Sequence, residues 1–537
     1  MKKLLSTLLS LALLLSLSAP ALATDTVSYY LRGGSAEYEP YLYEQLGGLL
    51  KIQEMADVKI DWTVVCGNGD EIKAQYLAKM SSGNYPDVIQ WLNNEMYVGG
   101  VSQMYNDGII IPLNDMIDQY MPKYKAFLEA NPDVANALKN DEGQYLYFTA
   151  INPLVTAEDR MAVTWWGLML RQDWLDNVGA QVPATIDEWY DVLTAFKELD
   201  PNGNGEADEI PYDAASAGLN LFMPAFNIMN GIYVDPETSR VGYGEYSKNY
   251  KAYLETMSKW YAEGLIKDVF VNETGAPVGS DVGDQNIYAD LSGSMKALSN
   301  YWEQRLPQLL QKNPNADFVP APWPLSAIDG QTRYGDYGNM SYIDRTTTCV
   351  STDCKNIEAV ARLMEAMLSE EGCTLLTWGV ETDKNGENGS YSLDENGKKY
   401  INEWSRTNEQ FYDGLFPRQY QYAMSHIAFP RIGGMDYTAA TREANYIASS
   451  ALWSECDTSL AYPACIVLST DEQKAATAAV EDIGSYIAEM FVKFITGQEP
   501  LTNYDNYINT LQKMGMDDLI AAYQAAYDRY LARGAAQ

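Results

Sequence analysis

Twelve residues from Asp200 to Pro211 gather oxygen-bearing side chains at a spacing that suits a hard metal ion. Asp200, Asn202 and Asn204 alternate at positions one, three and five of the stretch, and Gly205 stands at six. This is the beginning of an EF-hand-type loop, which wraps roughly six to eight oxygens around Ca²⁺ at about 2.3–2.6 Å. Glycine at the sixth position permits the sharp turn that a residue with a Cβ makes only at a cost. Position twelve is Pro211 rather than the usual bidentate Glu, and Asp208 and Glu209 are the nearby carboxylates that would stand in for it. The alternative is an ordinary acidic Asn-Gly turn.

A helix must deliver this loop. Thr185 and Glu188 have the spacing of a capping box, which satisfies the free backbone donors at a helix start. Trp189, Val192, Leu193, Phe196 and Leu199 then recur at helical spacing, which predicts a core stripe whose last turn runs into Asp200. Earlier in the chain, Val27–Leu31, Val58–Val65 and Asp87–Trp91 read as strands. Between them lie an apolar-periodic segment around Leu46–Met55 and a helix with Ile72, Tyr76, Leu77 and Met80 on one face. Strands alternating with helices predict a parallel α/β sheet. The last third reads as helical, with Ile483, Ile487, Met490, Phe491 and Phe494 on one face and a further helix from about Met516 to Leu531. Asp383–Gly389 and Asp394–Gly397 read as turns.

Composition removes several chemistries. His426 is the single histidine, so a two-histidine zinc motif is absent and any Ser-His-Asp triad would have to be built on it. Neither a GxSxG elbow nor a Gly-rich phosphate loop occurs. Residues 1–23 have the form of a secretory signal, with Lys2 and Lys3, the apolar run Leu8–Leu17 and cleavage expected after Ala23. No cysteine stands near that site to serve as a lipid attachment point. Loss of Lys2 and Lys3 takes the formal charge from −36 to −38, a balance that repels nucleic acid and keeps a secreted protein soluble. Cys66, Cys349, Cys354, Cys373, Cys456 and Cys465 leave their pairing open, with 349–354 and 456–465 close enough to close short loops.

Several segments in order, Tyr85–Trp91, Arg171–Leu175, Pro183–Trp189, Asp200–Pro211, Trp378–Glu381, Phe494–Gly497 and Ala525–Tyr530, together resemble the extracellular solute-binding proteins of carbohydrate-type ABC importers. The likeness is greatest to the subgroup that includes alginate-oligosaccharide binders and LplA-like proteins. The resemblance implies an α/β, two-lobed periplasmic-binding-protein fold of type II, with a hinge, an interlobe cleft and a helical C-terminal region. By analogy the first lobe would hold residues 24–150 and about 340–410, and the second about 151–339 and 411–537, carrying the loop 200–211. In relatives with such a loop the matching positions ligate a structural Ca²⁺. Here these are the side chains of Asp200, Asn202, Asn204, Asp208 and Glu209 and the backbone carbonyl of Glu206.

The same resemblance implies capture of a sugar or oligosaccharide by a monomer, which hands it to a membrane permease without chemical change. Sugars offer C–H faces to aromatic rings and hydroxyls to polar side chains. Trp91 ends a strand where the family places a stacking tryptophan at the cleft edge, and Asn93 and Asn94 follow as hydroxyl partners. Trp302 matches a second-lobe position, and Trp165 and Trp166 sit near the first lobe crossing. Trp323 and Trp378 complete the candidates, and Arg345 and Arg431 could pair with an acidic sugar. The competing readings are a sensory or adhesive module and a secreted glycosidase using two carboxylates.

Overall fold

The fold was analysed in a computed structural model of the chain. It describes residues 25–32, 43–44, 46–67, 69–92, 97, 99–152, 164, 166–213, 216–267, 284–299, 301–335, 343, 346–402, 404, 429–433, 444–463, 466 and 468–535. The expected signal at 1–23, and Asn93, Asn94, Trp165, Arg345, His426 and Cys465, lie outside the described residues.

Two hydrophobic cores organise the chain. The first surrounds a four-stranded sheet in the order Val58–Val65, Asp25–Arg32, Val88–Leu92, Thr346–Val350. The first three strands run parallel, and Thr346–Val350 returns antiparallel with Cys349 opposite Ile89. The edge strand alternates, with Val58, Ile60 and Trp62 inward and Lys59, Asp61 and Thr63 outward. The inner strand does not alternate. Val88, Ile89, Gln90 and Trp91 are all buried, because a strand flanked on both edges and covered on both faces has no wet side. Gln90 tolerates this by accepting the hydroxyl hydrogen bond of Tyr29. The helix Gly69–Ser81 buries Ile72, Tyr76 and Met80 as expected, whereas Leu77 at the rim of that stripe is exposed.

The second core covers a three-stranded antiparallel sheet, Ser294–Leu298, Trp166–Arg171, Phe318–Ala321, with Trp166–Arg171 in the middle. Against it packs the helix Ile186–Glu198, begun by the expected capping box of Thr185 and Glu188. Trp189, Val192, Leu193 and Phe196 are buried, but Leu199 is 58 % exposed. The correction has a simple cause: the helix ends at Glu198, Leu199 is its cap, and the chain there turns out into the loop. Thr470–Ile495, Tyr504–Lys513 and Met516–Ala535 complete this half, and the expected stripe from Ile483 to Phe494 faces the core.

The chain passes between the cores near three points that meet. Ala150–Ile151 pairs in parallel with Arg431–Ile432, and Ile343 bridges to Ile151. Phe429 packs in the first core and Trp453 against the second sheet. Residues 429–432 therefore stand at this meeting point. Local sequence carried no sign of this, because the pairing joins positions some 280 residues apart. The short 349–354 disulfide closure is not formed. Among the described residues no helix is long and apolar enough to cross a membrane.

Candidate functional site

The loop after the capped helix is coiled by its own oxygens. Asp200 adopts φ +44°, and Gly203 and Gly205 adopt +69° and +80°, the left-handed region that glycine enters at no steric cost. The Asp200 carboxylate accepts the N–H groups of Asn204 at 3.1 Å and Gly205 at 3.0 Å. Asn202 Oδ1 accepts Asn204 N–H, and Asn204 Oδ1 accepts Glu206 N–H. Both asparagine amides direct Nδ2 at Asp208, at 3.4 and 3.0 Å.

The carboxylates are not all satisfied. Glu209 Oε1 is buried without a hydrogen-bond partner. Burial pushes the Glu209 pKa up, and the charges of Asp200 and Asp208 add to that. An oxygen in that position gains most from a nearby cation, which would offset both causes at once. The donor set is mixed: among the described residues no three Asp, Glu, His or Cys side chains are gathered as a metal centre. Within the loop Asp200 accepts backbone N–H groups, Asp208 takes the asparagine amides and Glu209 Oε1 is left over, so the side-chain donors of the stretch are oxygens of the kind hard cations take.

The loop is tied into the second sheet. Asn202 donates to the Asp290 carbonyl, and Ile210 exchanges backbone hydrogen bonds with Leu291 and Gly293. Asp290, at φ +67°, also places its carboxylate 2.6 Å from the fully buried guanidinium of Arg171, which is gripped from the other side by Asp173. Thus the loop rests on the end of the strand Trp166–Arg171. Nothing local announced Asp290, 88 residues downstream of Asn202.

At the opposite end of that strand stands Trp166, opposite Leu298, where the chain enters the second half. It is half-buried, and the ammonium of Lys296 lies 4.8 Å from its ring centroid. Across the crossing, Arg431 hydrogen-bonds Asn152 at 3.3 Å. Asn152 and Thr164, which bracket the first crossing, are buried polar residues. Lys296 and Asn152 had no sequence signal, since each acquires its place only from strand pairing or from the meeting of crossings.

The other described tryptophans of the expected set are buried. Trp91 is fully buried, stacked at 5.7 Å on Tyr30 and with the Tyr76 ring tilted against it at 4.3 Å. Trp302 packs edge-to-face on Phe318, and Trp378 on Tyr391. Trp323 is buried and donates its indole N–H to the carbonyl of Trp453. Trp166 is the one described tryptophan of the expected set that is half-buried rather than buried.

Two cores joined by meeting crossover strands, with polar and aromatic residues where the chain changes core, define the class of two-lobed binding proteins. Residues 37–372 match the family of bacterial extracellular solute-binding proteins, and the chain belongs to that family. The fructooligosaccharide ABC transporter substrate-binding protein FusA of Streptococcus pneumoniae is 25 % identical over 505 residues, 90 % of this chain and 87 % of that protein. The structure of an EF-hand mutant of FusA with fructo-nystose superposes with a TM-score of 0.70 at 23 % identity, covering 95 % of this chain and 100 % of that one. The alginate-binding protein AlgQ2 without calcium ion gives 0.67 at 20 % identity, covering 94 % and 98 %. These two likenesses establish the two-lobed α/β fold.

Proposed function

We propose that the protein is the extracytoplasmic receptor of an ABC importer, capturing an oligosaccharide between its lobes and delivering it unchanged to the permease. The supporting observation is the family match together with near full-length similarity to a fructooligosaccharide-binding protein. Trp166 offers a ring for the C–H face of a sugar, with Lys296, Asn152 and Arg431 as polar partners near the crossings; Asn93, Asn94 and Trp165, outside the described residues, stay candidates on the family resemblance. Lobes of about 24–150 with 340–433, and 151–339 with 434–537, are the division this reading uses. Residues 1–23 serve as its export signal, cleaved after Ala23. Binding the closed form more tightly than the open one is what lets a solute drive closure.

Asp200, Asn202, Asn204, Asp208 and Glu209, with the carbonyl of Glu206, would hold Ca²⁺, whose charge would neutralise the loop's carboxylates. Its role is structural: the loop lies at the far end of the strand Trp166–Arg171 from Trp166, away from the solute. A thermal-shift series across neutral and acidic oligosaccharides, with calorimetry on the hits, tests the assignment. Micromolar or tighter binding with recovery of intact glycan is expected, and release of a shortened product would overturn it.

A further inference from the structure

The last helix, Met516–Ala535, is anchored in the second core by Met516, Leu519 and Ala526. Beyond that anchor it reaches the first core, where Tyr530 packs. Arg529 there meets carboxylates from both halves. Glu472, in the capping box of Thr470–Ile495, takes two guanidinium nitrogens at 2.6 Å each. Asp141, on the turn closed by Lys139 and Tyr145 at the rim of the first core, stands 2.6 Å from Arg529 Nε. Arg533 meets the same Asp141 at 3.0 Å and donates to the Lys139 carbonyl at 3.1 Å.

We propose that Arg529 and Arg533, gripping Asp141, form an electrostatic latch between the lobes that sets their orientation before any solute binds. This rests on the reading of the protein as a two-lobed receptor whose lobes reorient. The arrangement is asymmetric in a way that suits a latch. Glu472 neutralises Arg529 from its own side, so departure of Asp141 leaves Arg529 paired and avoids, at that residue, the penalty of a stranded buried charge. Asp141 and Arg529 have side chains 31 % and 33 % exposed, so water replaces the lost contacts and salt weakens them. Packing of Leu519 and Ala526 keeps the helix with the second lobe throughout.

Small-angle scattering of the whole protein without solute tests this. The wild type and Asp141→Asn are compared near 0.01 M and near 1 M salt, where the screening length is about 30 Å and about 3 Å. Two partly exposed charge contacts predict about a two- to thirtyfold shift in the unliganded lobe equilibrium. At low salt the variant should differ from the wild type in radius of gyration. At high salt the wild type should move to the variant's curve, which itself stays fixed. Arg533→Gln, which leaves Asp141 and Glu472 in place, should fall between them. Superimposable curves for all three proteins at both salts overturn the latch. Because no glycan is used, a failure to find a sugar ligand is read separately from a failure of the latch.

Discussion

Glu245 gives the protein a pH-dependent stability that can be worked from its surroundings. It sits on the short helix Gly244–Tyr246, is 5 % exposed, and accepts one hydrogen bond from Gly231 N–H at 3.0 Å. Tyr250, Tyr253, Tyr504 and Tyr507 belong to the same core. Burial raises its pKa from 4.5 to about 7, against the opposing pull of the Gly231 and Glu245 backbone hydrogen bonds. A folded-state pKa above the unfolded value means that the folded protein holds the proton more tightly. The stabilisation is therefore fully present below about pH 4.5 and is lost as pH rises through about 7. At 1.36 kcal/mol per pH unit the swing is about 3 kcal/mol. Glu245→Gln keeps the acceptor and cannot ionise, so it should lack this term. Urea unfolding from about pH 4 to about pH 8, followed for both proteins, isolates it, because the other carboxylates titrate alike in each. The wild type should lose about 3 kcal/mol relative to the variant over that range. Parallel profiles would refute the placement of a proton on a buried Glu245.

Four substitutions carry further expected outcomes. Calcium added to EDTA-treated protein should raise the unfolding midpoint, by the equivalent of about 2.7 kcal/mol at a hundredfold excess over Kd, and Asp200→Ala should abolish the response; a wild type indifferent to calcium removes the metal assignment. Trp91→Ala should cost about 3–5 kcal/mol of stability as a core cavity while leaving solute affinity in the folded fraction intact. Trp166→Ala should do the reverse, weakening solute binding with about 1 kcal/mol or less lost, so calorimetry on the pair separates core from cleft. A Cβ built at Gly167 would lie 2.4 Å from the ring of Trp453, so Gly167→Ala should lower stability by about 1–3 kcal/mol, seen as an earlier urea midpoint.

The capped helix and the loop it feeds were legible because their signals are local. Thr185 and Glu188 lie three residues apart, and the alternating Asp-Asn-Asn of the loop acts through backbone turns within six residues. The parallel strands were legible too, since Val58–Val65 alternates on a half-wet edge. Leu77 and Leu199 show the limit of periodicity. Each fits a helical stripe, and each is exposed because the helix rim or end leaves it beyond the facing layer.

By itself the sequence determined the family, the order of strands and helices, and a loop of alternating oxygen-bearing side chains, since all of these are written in spacings of a few residues. Which tryptophans meet solvent was decided only by the tertiary structure. Trp91 is enclosed because Thr346–Val350, some 250 residues on, completes the sheet beside it and Tyr30 and Tyr76 close over its ring. Trp166, at the first position of its strand and opposite Leu298, is left half-buried. Burial is a property of what packs on a side chain from elsewhere, and no local pattern contains those neighbours.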